Sequence, residues 1–188
     1  NGVDHVLHRS APTPPVAIGN LPTRSFLLLL GTNFKHKNRV YGLRVLAAMH
    51  KQYQWQGKLI LCGPTVAMGG SEAEEASLRA QWPELAEQIS DIGVVSEAEK
   101  RWLLENAAVV LYPSVSEGFG LIPFEAAAAN TPALSASSPA LREVLGEEVL
   151  YSPAFDPGEG AAVIWQMMHD PVAAQRQIAA IQARQALF

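Results

Sequence analysis

Phe26-Leu27-Leu28-Leu29-Leu30-Gly31 is the stretch that decides the fold: five apolar residues in a row, stopped by a glycine. A strand with one wet face alternates apolar and polar residues. An unbroken apolar run means burial on both faces, as in a parallel sheet covered by helices. The pattern recurs downstream. Lys58–Cys62 stops at Gly63-Pro64, Ile89–Val95 holds a short strand, Ala108–Tyr112 stops at Pro113, and Thr131–Ser135 and Val149–Ser152 follow. Between these runs the apolar spacing becomes helical. Asn38–Lys51 places Val40, Leu43, Leu46 and Ala47 on one side, and Glu72–Gln81 follows Ser71 as a candidate cap. The capping box Ser96-Glu97-Ala98-Glu99 opens a helix to about Asn106. Pro123–Ala129, Pro139–Leu145, Gly158–His169 and Pro171–Leu187 complete the helices. This alternation predicts an α/β, doubly wound parallel sheet. Ligands of such sheets bind outside the carboxyl ends of the strands, so residues 31–38, 63–71, 93–97 and 113–123 are where function is expected. Pro12, Pro14, Pro15 and Pro22 make residues 1–24 read as a linker or arm, leaving residues 25–188 as the domain. The Ala- and Gln-rich stretch near the C-terminal end reads as a solvated helix face.

Composition narrows the function. The chain has 188 residues, 48% apolar and 17% charged, with a formal net charge of −4. At about 150 residues per domain this is one domain with room for a full core, not a disordered chain. There is no basic footprint for nucleic acid, no apolar run long enough to span a membrane and no secretory pattern at the start. A cytoplasmic location is therefore expected. The chain opens at Asn1 rather than Met, so an upstream segment is expected too. A single cysteine, Cys62, excludes an internal disulfide and reads as a buried, inert thiol. His5, His8, His50 and His169 lack metal-ligand spacing. Trp55, Trp82, Trp102 and Trp165 read as packing residues. No G-x-G-x-x-G follows Leu30, which argues against a nicotinamide dehydrogenase.

The most informative loop is Tyr112-Pro113-Ser114-Val115-Ser116-Glu117-Gly118-Phe119-Gly120-Leu121-Ile122-Pro123-Phe124-Glu125. A buried strand runs into two glycines around one aromatic residue, and Pro123 suits the first position of a helix. Helix N-termini offer free N–H donors and bind anions. Gly118 and Gly120 let backbone approach a ligand closely. Glu117 and Glu125 could each accept two hydrogen bonds from a vicinal diol. An anion or polyol site follows; a solvated Glu117 and a capping Glu125 are the plain alternatives.

Glu117-Gly118-Phe119-Gly120-Leu121, with Pro123, Glu125 and Thr131-Pro132, resembles the E-x7-E signature of retaining glycosyltransferases of the GT-B fold, glycosyltransferase family 4 type. Other pieces agree in order: Asn1-Gly2-Val3-Asp4, the loop Gly31-Thr32-Asn33-Phe34-Lys35-His36-Lys37-Asn38, the step Leu61-Cys62-Gly63, and Ile92-Gly93-Val94-Val95-Ser96. The resemblance is to the C-terminal, donor-binding half, a Rossmann-like domain. It implies a nucleoside-diphosphate sugar as donor, with no metal or other cofactor, and an acceptor bound mainly by an N-terminal domain outside this chain. By match to the family, Glu125 holds the ribose hydroxyls and Glu117 contacts the transferred hexose. Backbone N–H groups at Phe119, Gly120 and Leu121 hold sugar hydroxyls and phosphate, and Gly118 is a further donor-binding candidate. Lys37 neutralises the diphosphate; Gly31, Thr32 and His36 of the same loop, and Gly63, are donor-binding candidates, and Val94 and Val95 contact the base, largely through backbone. Lys37 and Glu117 are the catalytic candidates. The sequence departs from the family in one place: His36 stands where an arginine is usual, with Lys35 or Arg39 as candidate substitutes. The alternatives are a non-catalytic nucleotide-binding module, a GT-B sugar-nucleotide epimerase or a sucrose-type synthase. A hydrolase-like pair formed by Glu117 and Glu125 is disfavoured.

Overall fold

The apolar run Phe26–Leu30 is the first strand and lies at the centre of the sheet, in a computed structural model that describes residues 11–188. The strands are β1 (Phe26–Leu30), β2 (Lys58–Cys62), β3 (Ile89–Asp91), β4 (Val109–Tyr112), β5 (Ala133–Ala136) and β6 (Tyr151–Ser152). All pair in parallel, in the order β3-β2-β1-β4-β5-β6. The helices are α1 (Arg39–Tyr53), α2 (Glu72–Gln81), α3 (Glu97–Asn106), α4 (Leu121–Ala128), α5 (Pro139–Leu145), α6 (Pro157–His169) and α7 (Pro171–Gln185).

The period-two geometry of a strand sends successive side chains to opposite faces. Leu27 and Leu29 therefore join Leu43, Leu46 and Met49 of α1 and Ile164 of α6 on one face. Phe26, Leu28 and Leu30 join Leu103 and Leu104 of α3, Phe124 of α4 and Ile178 of α7 on the other. Each leucine buried in this way contributes about 1.5–3 kcal/mol. Cys62 is buried at the end of β2, and burial pushes its thiol up to about 11. Among the described residues, no helix is long and apolar enough to cross a membrane.

Strand β3 is the piece Ile89–Asp91 of the expected stretch: Gly93 takes φ +66 and its N–H turns back to Asp91 Oδ1 at 3.2 Å, and Val94 and Val95 are loop, as expected. Three local readings change. Helix α4 begins at Leu121, two residues before Pro123. Ser71 sits at the N-cap of α2 but makes no cap; its hydroxyl lies 2.9 Å from the Asn33 carbonyl and 2.6 Å from Glu75 Oε1. The last helix is not a solvated face throughout. Gln177 is 1% exposed: its Nε2 donates to the carbonyls of Ala133 (2.7 Å) and Leu150 (3.1 Å), and its Oε1 accepts from Leu150 N–H (2.7 Å). Gln182 Nε2 donates to the Ala127 carbonyl.

The described part of the arm is tied down. Val16–Ile18 form a 3-10 turn, and Ile18 and Leu21 pack on the core. Arg24 Nη1 donates to the Ala107 carbonyl (2.7 Å) and Thr131 Oγ1 (3.0 Å). Asn1–Asp4, His5 and His8 lie outside the described residues.

Gln177→Leu keeps the volume but strips partners from three backbone groups, the buried Ala133 carbonyl and the partly buried N–H and carbonyl of Leu150. It should lower unfolding free energy by roughly 2–4 kcal/mol in urea titration, with the sheet retained by circular dichroism.

Candidate functional site

Strand order reverses between β1 and β4, and the chain leaves them toward opposite faces, to α1 and to α4. A crevice opens at that point outside the carboxyl ends of the strands. After β1, Lys35–Lys37 form a 3-10 turn, and Asn38 caps α1 in a left-handed conformation, accepting the Tyr41 N–H. This turn carries Lys37 across to the loop after β4, where its Nζ lies 2.5 Å from Glu117 Oε1. Burial alone would raise the Glu117 carboxyl. Hydrogen bonds from Lys37, Ser114 and Tyr112 outweigh it and hold the group below the usual carboxylate range. Burial, then the Glu117 charge, pushes the Tyr112 hydroxyl up.

Gly120 opens α4 at φ +81, where an added Cβ would lie 2.8 Å from Leu141 Cδ2 and 3.1 Å from Tyr112 Cε1. No side chain caps this helix and no acidic residue occupies its first turn, so the dipole end is unneutralised. Pro123 is third in the helix, where the missing N–H costs no helical bond. Glu125 is fifth, not third, so it is not a capping glutamate. Its side chain is 8% exposed. Lys100 Nζ from α3 donates to Glu125 Oε1 at 3.3 Å, while Oε2 is buried without a partner.

Backbone and amide bonds stitch the rim. Asn33 Oδ1 accepts the Val66 N–H at 2.8 Å, and Asn33 Nδ2 donates to Glu72. The Val115 N–H donates to the His36 carbonyl (2.8 Å), and the Gly63 N–H to the Gly93 carbonyl (2.8 Å). Gly63 has φ +143, and a Cβ there would lie 2.2 Å from the Gly31 carbonyl oxygen, so only glycine fits. Thr32 lies against the same step, its N 3.0 Å from that Cβ position.

The expected residues thus all lie on the loops at the carboxyl ends of the strands or at the start of the helix after β4. Gly31, Thr32, His36 and Lys37 come from the loop after β1, and Gly63 from that after β2. Val94 and Val95 follow β3, and Glu117, Gly118, Phe119 and Gly120 follow β4, with Leu121 and Glu125 on α4. Val94 is exposed, whereas Val95 packs on the core. Gly118 borders open space. The Phe119 ring turns away to stack on Phe124 and meet Phe188 edge-on. His36 stacks on Phe34. Neither proposed substitute for the missing arginine is free: Lys35 pairs with Glu74 at 3.0 Å, and Arg39, 1% exposed, pairs with Asp91 at 3.0 Å. Lys100, Ser114 and Asn33 were not singled out by the sequence. Lys100 and Asn33 act through contacts across 25 and 33 or more positions, which no local pattern marks, and Ser114 bonds Glu117 within their shared loop.

The family model described as "Glycosyl transferases group 1" matches residues 16–185. The chain is 30% identical over 127 residues to the O-antigen chain mannosyltransferase RfbU of Salmonella typhimurium, covering 68% of this chain and 34% of that protein. The sucrose-phosphate synthase of Thermosynechococcus elongatus superposes with a TM-score of 0.73 at 27% identity, over 94% of this chain and 45% of that one. Anabaena HepE in complex with UDP and glucose superposes with a TM-score of 0.69 at 19% identity, over 88% and 43%. The chain spans about a third or less of the length of the curated relatives it matches.

The Lys37–Glu117 pair gives a pH signature. The folded Glu117 value lies below the unfolded one, so its contribution to stability is present above the unfolded value and fades as pH falls through the folded one. Melting temperatures of the wild type and Lys37→Met should therefore differ at pH 7 and converge toward pH 3.

Proposed function

The chain belongs to the family of glycosyl transferases group 1, and on that premise we propose that its crevice is the donor site of a retaining glycosyltransferase acting on a nucleoside-diphosphate sugar. The observation that carries this reading is Glu125. A buried carboxylate oxygen without a partner is costly, and a ribose hydroxyl supplies the missing donor. It lies on the helix whose uncapped N-terminus suits phosphate.

In this reading the anomeric carbon–oxygen bond to the diphosphate breaks, a hexosyl group passes to an acceptor hydroxyl, and the hydroxyl's proton goes to the phosphate oxygen that the break has freed. Negative charge collects on the departing nucleoside diphosphate. Lys37 and the first N–H groups of α4 meet that charge with groups already in place, and such preorganised electrostatics is usually the largest catalytic effect. Glu117 lies beside Lys37, where the hexose joins the diphosphate. Donor entry exchanges the Lys37–Glu117 contact for two contacts to ligand, Lys37 to phosphate and Glu117 to a sugar hydroxyl. The acceptor and its site belong to a longer protein of which this domain is the donor half.

A binding module without turnover is the second reading. It rests on His36, which lacks a permanently charged fork for phosphate, and on the engagement of Lys35 and Arg39 elsewhere.

Calorimetric titration with UDP, GDP and ADP tests the site, and the HepE complex makes UDP the first choice. One nucleotide should bind best, and Glu125→Ala should weaken it roughly tenfold to a hundredfold with the fold intact by circular dichroism. Failure of all three to bind, or an unchanged affinity in the variant, would overturn the reading.

A further inference from the structure

Lys100 lies in the first turn of α3, with a side chain 19% exposed. Its Nζ is held between two carboxylates: Glu97 Oε2 at 3.1 Å, on the solvent side, and Glu125 Oε1 at 3.3 Å, inside. Glu97 is 61% exposed and has water as an alternative partner; Glu125 is 8% exposed and does not. The two oxygens of Glu125 are therefore unequal. Oε1 has a charged donor, and Oε2 is buried with none. A carboxylate is a planar fork, so anchoring one oxygen fixes the direction of the other. No other protein group is bonded to this carboxylate among the described residues.

We propose that Lys100 is a positioning residue of the nucleotide site: it holds Glu125 by Oε1 and so aims Oε2 at the vicinal hydroxyls of a ribose. This rests on the nucleotide reading of the crevice and adds to it the element that sets ribose recognition, α3. Lys100 acts through Glu125 rather than on the ligand. Burial pulls its ammonium down, but the Glu125 and Glu97 charges prevail and hold it above the ordinary lysine value, so it stays charged at neutral pH.

The test is calorimetry on the chain with UDP and with 2′,3′-dideoxy-UDP, for wild type, Lys100→Met, Lys100→Arg and Glu125→Ala. Lys100→Met should lose roughly tenfold or more on UDP and nothing on the dideoxy analogue, as Glu125→Ala does, and Lys100→Arg should recover most of the loss. Lys100→Gln serves the same comparison if the methionine variant does not fold. Equal losses on both nucleotides, or no loss on UDP, overturn the role of Lys100 and leave the donor-site reading standing. A wild type that binds UDP and its dideoxy analogue equally overturns the ribose contact, and this role with it. A wild type that binds UDP, GDP and ADP not at all overturns the donor-site reading itself.

Discussion

A parallel sheet buried on both faces leaves charge nowhere to go but the two ends of its strands. An ion between sheet and helices would lose its hydration without a partner, at a cost of several kcal/mol. The central strands accordingly carry Leu, Ile and Val, and the carboxyl edge gathers the ions. They arrive there as matched couples: Lys37 with Glu117, Lys100 with Glu125, Arg39 with Asp91. Each joins side chains that are far apart in sequence and come from different elements. A rim of paired ions still presents a cation and a bare helix end to whatever enters, and it holds a partnerless carboxylate oxygen in its interior.

The loops that bear these groups are joined to one another as well as to the sheet. Asn33 ties the loop after β1 to that after β2, Gly63 ties the second to the third, and the His36 carbonyl ties the first to the fourth. Ordering such a rim takes place during folding, so a ligand that binds there need not supply that ordering free energy itself.

Much of this was legible from residue order. Strands β1 and β2 end where Gly31 and Gly63 stop their apolar runs, and Ser96 and Glu99 form the capping box at α3. The crevice could be located because strand–helix alternation fixes which loops share an edge. What stayed hidden depends on long-range contact. Gln177 looks like any surface glutamine of an Ala-rich helix until β5 and the segment before β6 pack against it. Arg39 looks like a spare cation beside His36 until Asp91 is brought under it. Lys100 forms an ordinary three-residue pair with Glu97, and nothing in the spacing reveals its second carboxylate. The start of α4 is masked in the sequence because proline at a first helical position is a strong local preference. Gly120, able to adopt a left-handed conformation, opens the helix earlier instead.

Cys62 has a practical corollary. It is the chain's single sulfhydryl, enclosed at the end of β2 and shifted to about 11, so at neutral pH almost none of it is the reactive thiolate. Maleimide chemistry on this protein therefore starts from a silent background. A cysteine introduced at Val94 or Val115, both solvent-facing on the rim, would be the only fast-reacting nucleophile of its kind. A fluorophore attached there would sense occupancy of the crevice with no need to remove the native thiol first.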